Sequence, residues 1–200
     1  SGFDMVTKFT EETFKPETLV SKANKVEFSV LPNLGANLIS FKVAGREFIY
    51  FDKDRLVATG DFYTGCFVMF PTPCRITGSK YPFNGKEIRQ RKHGQDVFIH
   101  GLVRDQKWKV QRKDESLICD IEIDKNHPAY EGYPFPCRFT LIYTAIPRGL
   151  EIKFNYENKG SETAPFGFGL HPFWRIDGDR KNMFVQVPCQ YTLELVNLIP

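Results

Sequence analysis

Residues 135–158, FPCRFTLIYTAIPRGLEIKFNYEN, hold two stretches in which apolar and polar side chains alternate. The alternation runs through 135–143 and again through 150–156. Successive side chains of a β-strand point to opposite faces of its sheet, so this period of two predicts strands with one face on a core and the other facing water. The Pro-Arg-Gly segment at 147–149 predicts a turn between them.

The same alternation recurs along the chain and is interrupted by turn signals. Val26, Phe28 and Val30 form one short example. Asn84-Gly85 lies between two short runs and is a strong two-residue hairpin signal. Helical patterns are nearly absent, apart from a weak helical turn near residues 11–14. The predicted fold class is therefore all-β, with many antiparallel strands packed as a large β-sandwich.

The composition limits the partners that this chain can have. Its 27 Lys+Arg and 24 Asp+Glu give a net charge of +3, which offers no electrostatic case for binding nucleic acid or an anionic membrane. No apolar run approaches the roughly 20 residues that span a bilayer. The five cysteines are odd in number, widely spaced and without a CxxC pair, which is typical of buried thiols in a reducing compartment. We therefore expect a cytoplasmic protein with no nucleic-acid or membrane partner.

The chain shows no repeat and no linker, so we expect one domain, residues 1–200. Its last residues are unusual, because the alternation in 191–196 predicts a strand and the chain then stops at Pro200. A sheet that ended there would keep an open edge. We therefore expect an incomplete sandwich whose C-terminal strands are missing from these 200 residues.

Two histidines occupy segments that could carry chemistry. His100 ends an apolar run and is followed by Gly101, so the backbone can turn there and a ligand can approach. His171 lies among four aromatic residues in FGFGLHPFW, residues 166–174. Histidine suits proton transfer near neutral pH, and aromatic rings suit the C–H face of a sugar. The alternative for each is a structural histidine, hydrogen-bonded in the core or packed in an aromatic corner.

Basic residues offer further candidates. Arg75 stands between apolar neighbours, where a guanidinium pairs internally or binds the hydroxyls of a ligand. The run RQRKH at 89–93 is either a solvated strand end or a phosphate-binding patch. The spacing of the four histidines matches no local metal-ligand signature, so we expect no metal site. A Gly-rich phosphate loop, a GxSxG elbow and an HExxH motif are all absent from the sequence, which leaves the common hydrolase classes without support.

Several segments form an ordered set of motifs that is more specific than any of them alone. In chain order they are GANLISF (35–41), FP with RI (70–76), YPFNGK (81–86), IHGLVRD followed by Trp108 (99–108), YPF (133–135), GLHPF (169–173) and LIP (198–200). This set resembles the aldose 1-epimerase, or galactose mutarotase-like, family. The resemblance implies the large antiparallel supersandwich of that family. It also implies an isomerase that interconverts the α and β anomers of a free aldose without a cofactor.

The resemblance further implies roles for individual residues. His171 matches the general acid that protonates the ring oxygen, and His100 matches a histidine that assists on the ring-oxygen side. Arg75 matches an arginine that binds sugar hydroxyls. Phe173 and Trp174 are the aromatic neighbours expected to stack on the sugar ring. The general base of the family is a glutamate beyond the LIP motif, so we expect it after the last residue of this chain.

Two departures from the family pattern argue against galactose specificity: Cys74 replaces an asparagine, and Pro-Phe-Trp follows His171 in place of Ser/Thr-Tyr-Phe. Two alternatives remain beside a free-aldose epimerase that works as a monomer or homodimer. The first is a non-catalytic carbohydrate-binding β-sandwich, since a fold does not determine a function. The second is a hexose-6-phosphate 1-epimerase of the same superfamily, with Arg89, Arg91 and Lys92 near the phosphate.

Overall fold

The computed structural model of the protein describes residues 9–90 and 97–199, and most of its secondary structure is β-strand. The strands are β1 (Glu17–Ser21), β2 (Val26–Leu31), β3 (Asn37–Val43), β4 (Arg46–Glu47), β5 (Cys66–Met69), β6 (Arg75–Thr77), β7 (Lys80–Phe83), β8 (Lys86–Arg89), β9 (Val97–Ile99), β10 (Lys109–Lys113), β11 (Ser116–Ile123), β12 (Cys137–Ile146), β13 (Gly149–Asn158) and β14 (Gly169–Pro172). The helical elements of these ranges are α1 (Lys53–Thr59) and 3-10 turns at Glu12–Phe14, Pro128–Glu131 and Arg180–Asn182. In the same ranges, no helix has both the length and the apolar character needed to cross a membrane.

The strands form two large antiparallel sheets. In the first sheet the order is β1-β2-β3-β5-β14, and β4 pairs with the end of β3. In the second sheet the order is β10-β11-β12-β13. Two smaller ribbons pair β6 with β9 and β7 with β8. Every pairing in both sheets joins antiparallel strands of the described residues.

The stretch that alternates most regularly supplies the pair β12 and β13, in the register Phe139↔Tyr156. Every second residue of β12 is buried, from its first position to its ninth. This buried face meets the first sheet, because Tyr143 approaches the ring of Phe28 (centroids 6.3 Å apart) and Phe139 stacks on Phe70 (4.5 Å, 5° from parallel). One apolar core therefore spans both sheets, and the predicted all-β antiparallel sandwich is confirmed.

The hairpin predicted at Asn84-Gly85 is confirmed. It joins β7 to β8, and Phe83 pairs with Lys86 across the two turn residues. Asn84 and Gly85 both have positive φ, 47° and 74°. Positive φ at both central residues is the requirement of the tight turn whose twist matches that of the flanking strands, and asparagine and glycine adopt it at low cost.

The helix α1 is not predicted by the alternation pattern. The Asp52 carboxylate caps its first turn by accepting a hydrogen bond from the Arg55 backbone N–H (3.0 Å). Gly60 ends it in the left-handed conformation. Leu56 is its one buried residue, so the helix has no apolar stripe that a sequence pattern could reveal. The weak helical turn near residues 11–14 is confirmed as a 3-10 turn.

The strand predicted at 191–196 is wrong. In the described part of the chain these residues form no strand, and Val196 makes an isolated bridge with Ile199. Tyr191 is 84% exposed and Leu193 is 77% exposed. Alternation produces a strand only where a neighbouring strand completes the hydrogen bonds and a core covers the apolar face. Neither condition is met here among the residues that the structure describes.

The cysteines are free thiols, as expected. Cys66, Cys119 and Cys137 are buried, and burial raises the pKa of each thiol to about 12. The prediction of small buried hydrophobes is therefore confirmed for these three. It is wrong for Cys189, which is exposed in the irregular C-terminal segment, whereas Cys74 is half-buried.

Tyr143→Phe tests the contact between the sheets. The buried Tyr143 hydroxyl donates a hydrogen bond to the Ala36 carbonyl oxygen (3.1 Å), which links β12 to the start of β3. Its removal should lower the free energy of unfolding by about 1 kcal/mol, measured by urea denaturation. Tyr191→Phe is the matched control, because the Tyr191 side chain is exposed and should leave the stability unchanged. Equal stabilities for the two variants would contradict this account of the interface.

Candidate active site

The strand β14 places His171 directly opposite Phe67 of β5. Residues paired across a sheet share one face, and so do residues two apart on a strand, so His171, Phe67 and Phe173 project to the same side. The His171 ring stacks on the Phe67 ring (4.7 Å, 18°) and on the Phe173 ring (4.9 Å, 15°). The imidazole thus packs against two aromatic rings, whose own centroids lie 6.4 Å apart.

His100 reaches the same place from a bend after β9. Its φ is 65°, and its backbone N–H donates to the Cys74 carbonyl oxygen (2.9 Å). The next residue, Gly101, also has positive φ, and a Cβ there would lie 2.3 Å from the Phe70 carbonyl oxygen. A glycine is therefore required after His100, which explains the His-Gly motif physically. The His100 ring lies 5.1 Å from that of His171, nearly perpendicular to it (76°).

Arg75 lies beside His100 because it begins β6 and pairs with Ile99 of β9. Its Nη1 donates a hydrogen bond to the Leu198 carbonyl oxygen at 3.4 Å. Its positive charge helps to lower the pKa of the His100 imidazole. The arginine is only half-buried, so the guanidinium is accessible to a ligand. Of the two open interpretations of Arg75, the hydrogen bond to Leu198 is an internal pairing, and the ligand role stays a prediction.

The two predicted stacking residues occupy different positions. Phe173 belongs to the aromatic stack, and its backbone is held by hydrogen bonds to Gly65 and Tyr50 (both 2.8 Å). Trp174 pairs with Ile49 through an isolated bridge and is 42% exposed. Alternation along the chain turns Trp174 away from the face that carries His171. The structure therefore brings together Phe173 and the two histidines, but not Trp174.

Both histidines have pKa values below that of an ordinary imidazole. Burial, together with the charges of His171, Arg104 and Arg75, lowers the pKa of His100 from 6.5 to about 4. Burial also lowers the pKa of His171, and the charge of Arg104 acts in the same direction. Within the described residues, Nδ1 of each ring is buried without a hydrogen-bond partner.

Two site residues were not predicted as such. The guanidinium of Arg104 lies over the rings of Phe62 (4.9 Å) and Phe67 (5.5 Å). Arg104 belongs to the quoted IHGLVRD segment, and its position four residues after His100 was the available signal. Phe67 contacts both imidazole rings, but it lies in a run of four buried residues, so no alternation indicates which way its ring points.

The basic run at 89–93 is only partly described. Arg89 is exposed and pairs with Glu87 (2.9 Å). Gln90 is only 3% exposed and bonds to Thr72 (2.8 Å) and to the Gly132 carbonyl oxygen (3.2 Å), so it is not solvated as a strand end would be. Residues 91–93, which include Arg91 and Lys92 of the phosphate-site hypothesis, lie outside the described residues. Of the residues that are described, no three His, Cys, Asp or Glu side chains come together as metal ligands would.

The fold thus has two packed antiparallel sheets, and a histidine pair lies beside aromatic rings and arginines. A sequence model of the aldose 1-epimerase family matches residues 18–200. The chain belongs to the aldose 1-epimerase family.

Individual relatives are distant and longer. The uncharacterized protein YihR of Escherichia coli K12 is 28% identical over 109 residues, which are 53% of this chain and 34% of YihR. The structure of Slr1438 from Synechocystis sp. PCC 6803 superimposes with a TM-score of 0.68 at 22% identity, over 80% of this chain and 54% of that one. A galactose mutarotase related enzyme from Lactobacillus acidophilus gives 0.66 at 24% identity, over 84% and 52%. These likenesses confirm the predicted mutarotase-like fold, and the chain spans about half the length of the solved structures.

The lowered pKa of His100 predicts acid sensitivity. Between pH 6.5 and about pH 4 the unfolded chain binds a proton at His100 that the folded protein does not, so the free energy of unfolding should fall as the pH is lowered through this window. Above pH 6.5 His100 is neutral in the folded and the unfolded chain alike, so its protonation no longer lowers the free energy of unfolding. His100→Gln should flatten part of this fall. The lowered pKa values of His171, His127 and the carboxyl groups of Asp52, Glu87 and Glu122 contribute to what remains. Urea unfolding at a series of pH values measures the effect, and identical slopes for the two proteins would contradict it.

Proposed function

We propose that the protein is an aldose 1-epimerase that interconverts the α and β anomers of a free aldohexose, in the cytoplasm, as a monomer or homodimer. The observation that carries the proposal is the His100–His171 pair, whose rings lie 5.1 Å apart on an aromatic surface with both Nδ1 atoms unpaired among the described residues. Family membership supports the reaction class. The small net charge of +3 is compatible with an uncharged substrate.

The reaction requires two proton transfers on opposite sides of the anomeric carbon. A base takes the proton of the C1 hydroxyl while an acid delivers a proton to the ring oxygen. The bond between C1 and the ring oxygen breaks, its electron pair stays on that oxygen, and C1 becomes an aldehyde. Rotation about the C1–C2 bond and the reverse steps give the other anomer. Atoms and electrons balance without any oxidant or cofactor.

His171 is the proposed general acid. The neighbouring aromatic rings fix its imidazole, and burial lowers the pKa of His171, so the protonated form is a stronger acid than an ordinary imidazolium. A strong acid suits the ring oxygen of a sugar, which is a weak base. The same shift makes the protonated form a minority at pH 7, so activity should rise as the pH falls until the base becomes protonated.

His100 and Arg75 have binding roles in this proposal. Because its pKa is about 4, His100 stays neutral at the pH of the cell and acts through a hydrogen bond on the ring-oxygen side rather than by proton transfer. The forked N–H donors of Arg75 suit neighbouring sugar hydroxyls. Phe173 lies in the aromatic stack and offers its ring to the sugar. Trp174 points away from the face that carries His171, so it would reach the sugar only at the edge of the site. The general base is proposed to be a glutamate beyond Pro200.

His171→Ala should reduce anomer exchange by about 10²- to 10⁴-fold, because the ring oxygen loses its proton donor. Polarimetry and NMR exchange spectroscopy on the full-length gene product measure this rate with freshly dissolved α-glucose. His127→Ala is the matched control, because His127 is also half-buried but caps the 3-10 turn at Pro128–Glu131 through its Nδ1. The control should lose some stability and keep its exchange rate per folded molecule.

The same assay separates the alternatives. An unchanged rate in His171→Ala would remove the proposed acid. Sugar binding without any exchange in the unaltered protein would identify a non-catalytic carbohydrate-binding module. A rate on glucose 6-phosphate far above that on glucose would identify the hexose-6-phosphate epimerase.

Arg75→Met should raise the KM for the aldose by about tenfold and change kcat less, because contacts to remote hydroxyls act in the ground state and the transition state alike. Arg138→Met is the matched control, since Arg138 is an exposed residue of β12 in the second sheet and forms an ion pair with Asp120 of the neighbouring strand β11 (3.4 Å). Steady-state kinetics over a range of sugar concentrations measure both. An equal KM for the two variants would contradict the role of Arg75.

A further inference from the structure

The backbone of Arg104 is fixed on both sides of the residue. The N–H of Leu102 donates to the Phe70 carbonyl oxygen (2.8 Å), and the carbonyl oxygen of Gln106 accepts from the Gly35 N–H (2.8 Å). Gly35 also packs directly against the Arg104 backbone, since a Cβ on Gly35 would be 2.4 Å from the Arg104 carbonyl oxygen. The segment that carries Arg104 is therefore tied to β5 on one side and to the turn before β3 on the other.

The side chain of Arg104 is held by two aromatic rings. Its guanidinium carbon lies 4.9 Å from the Phe62 ring centroid and 5.5 Å from that of Phe67, and these rings meet edge to face (6.0 Å, 78°). A guanidinium over a ring is attracted by the negative ring face, more strongly so when it is partly desolvated. Phe67 is the same ring on which His171 stacks and which His100 contacts at 5.5 Å.

We propose that Arg104 is a positioning residue of the active site: its guanidinium holds the Phe67 ring against His171 and keeps a fixed positive charge beside both imidazoles. The inference rests on the proposed function, because it assigns the histidine pair to the chemistry. Among the described residues, the charges of Arg75 from β6, Arg104 and His171 act on His100. The charge that acts on His171 within the same residues is that of Arg104. The Cys66 thiol is hydrogen-bonded to the His171 backbone. Burial raises the pKa of this thiol to about 12, so it adds no charge near the pair.

The consequence is electrostatic control of the acid. A nearby positive charge disfavours the imidazolium, and burial of the pair acts in the same direction. Arg104 is one of the charges that act on both imidazoles. A neutral side chain in its place leaves the histidines more basic and makes the protonated His171 a weaker acid.

The test compares three variants by NMR titration of the imidazole nitrogens without sugar. Arg104→Met keeps an apolar stem but removes the charge, and the midpoints of His100 and His171 should both rise by about half a pH unit. Arg104→Lys restores the charge and should return the midpoints most of the way. Arg46→Met removes an arginine held in the same manner, 5.2 Å from the Phe48 ring, and should move neither midpoint.

A folded Arg104→Met protein with unchanged midpoints would overturn the proposal, as would an equal rise in Arg46→Met. If Arg104→Met does not fold, Phe62→Leu is the substitute, because it removes one of the two rings that hold the Arg104 guanidinium. Unchanged midpoints in Phe62→Leu would overturn the proposal as well. The pH–rate profile of the full-length protein should shift upward with the midpoints. The titration uses no substrate, so its failure is distinct from an absence of anomer exchange, which would contradict only the proposed function.

Discussion

The stack of Phe70 on Phe139 is the contact on which the rest of the structure depends. Phe70 directly follows β5 of the first sheet and Phe139 lies in β12 of the second, so two rings 4.5 Å apart and 5° from parallel join the layers. The Phe70 carbonyl oxygen also accepts a hydrogen bond from Leu102, and Gly101 lies almost in contact with it. One residue thus anchors the core and the loop that presents His100. A core rearrangement at Phe70 would therefore be transmitted to the histidine pair.

The register of β5 with β14 is the second determinant. It places His171 opposite Phe67, and a slip by one residue would turn His171 to the other face of the sheet. The register is continued past the end of β14, because Phe173 bonds to Gly65 and Gly65 bonds in turn to Tyr50. Backbone hydrogen bonds therefore define the position of His171, and the aromatic stack defines the orientation of its imidazole.

Sequence patterns predicted the segments in which a residue's position along the chain decides whether its side chain is buried or which turn it can form. β12 and β13 alternate because one face is buried, and Asn84-Gly85 turns because both residues tolerate positive φ. The motif order indicated the histidines and Arg75. Phe67 was not predictable, since a strand buried on both faces has no alternation, and neither was Arg104, since its partners are rings distant in sequence. The strand prediction for 191–196 was wrong for the opposite reason. The segment alternates between apolar and polar residues, but it pairs with no neighbouring strand within the described residues.

Burial and positive charge act together on the histidine pair. Aromatic neighbours exclude water from the imidazoles, which raises the cost of protonating them and strengthens the effect of every nearby charge. The arginines then add to that cost. The result is a poor base and a strong acid, which is what the ring oxygen of a sugar requires in the reaction proposed above. The other half of that reaction needs a carboxylate in a different environment, because an acid and a base can work at the same pH only if their surroundings drive their pKa values apart.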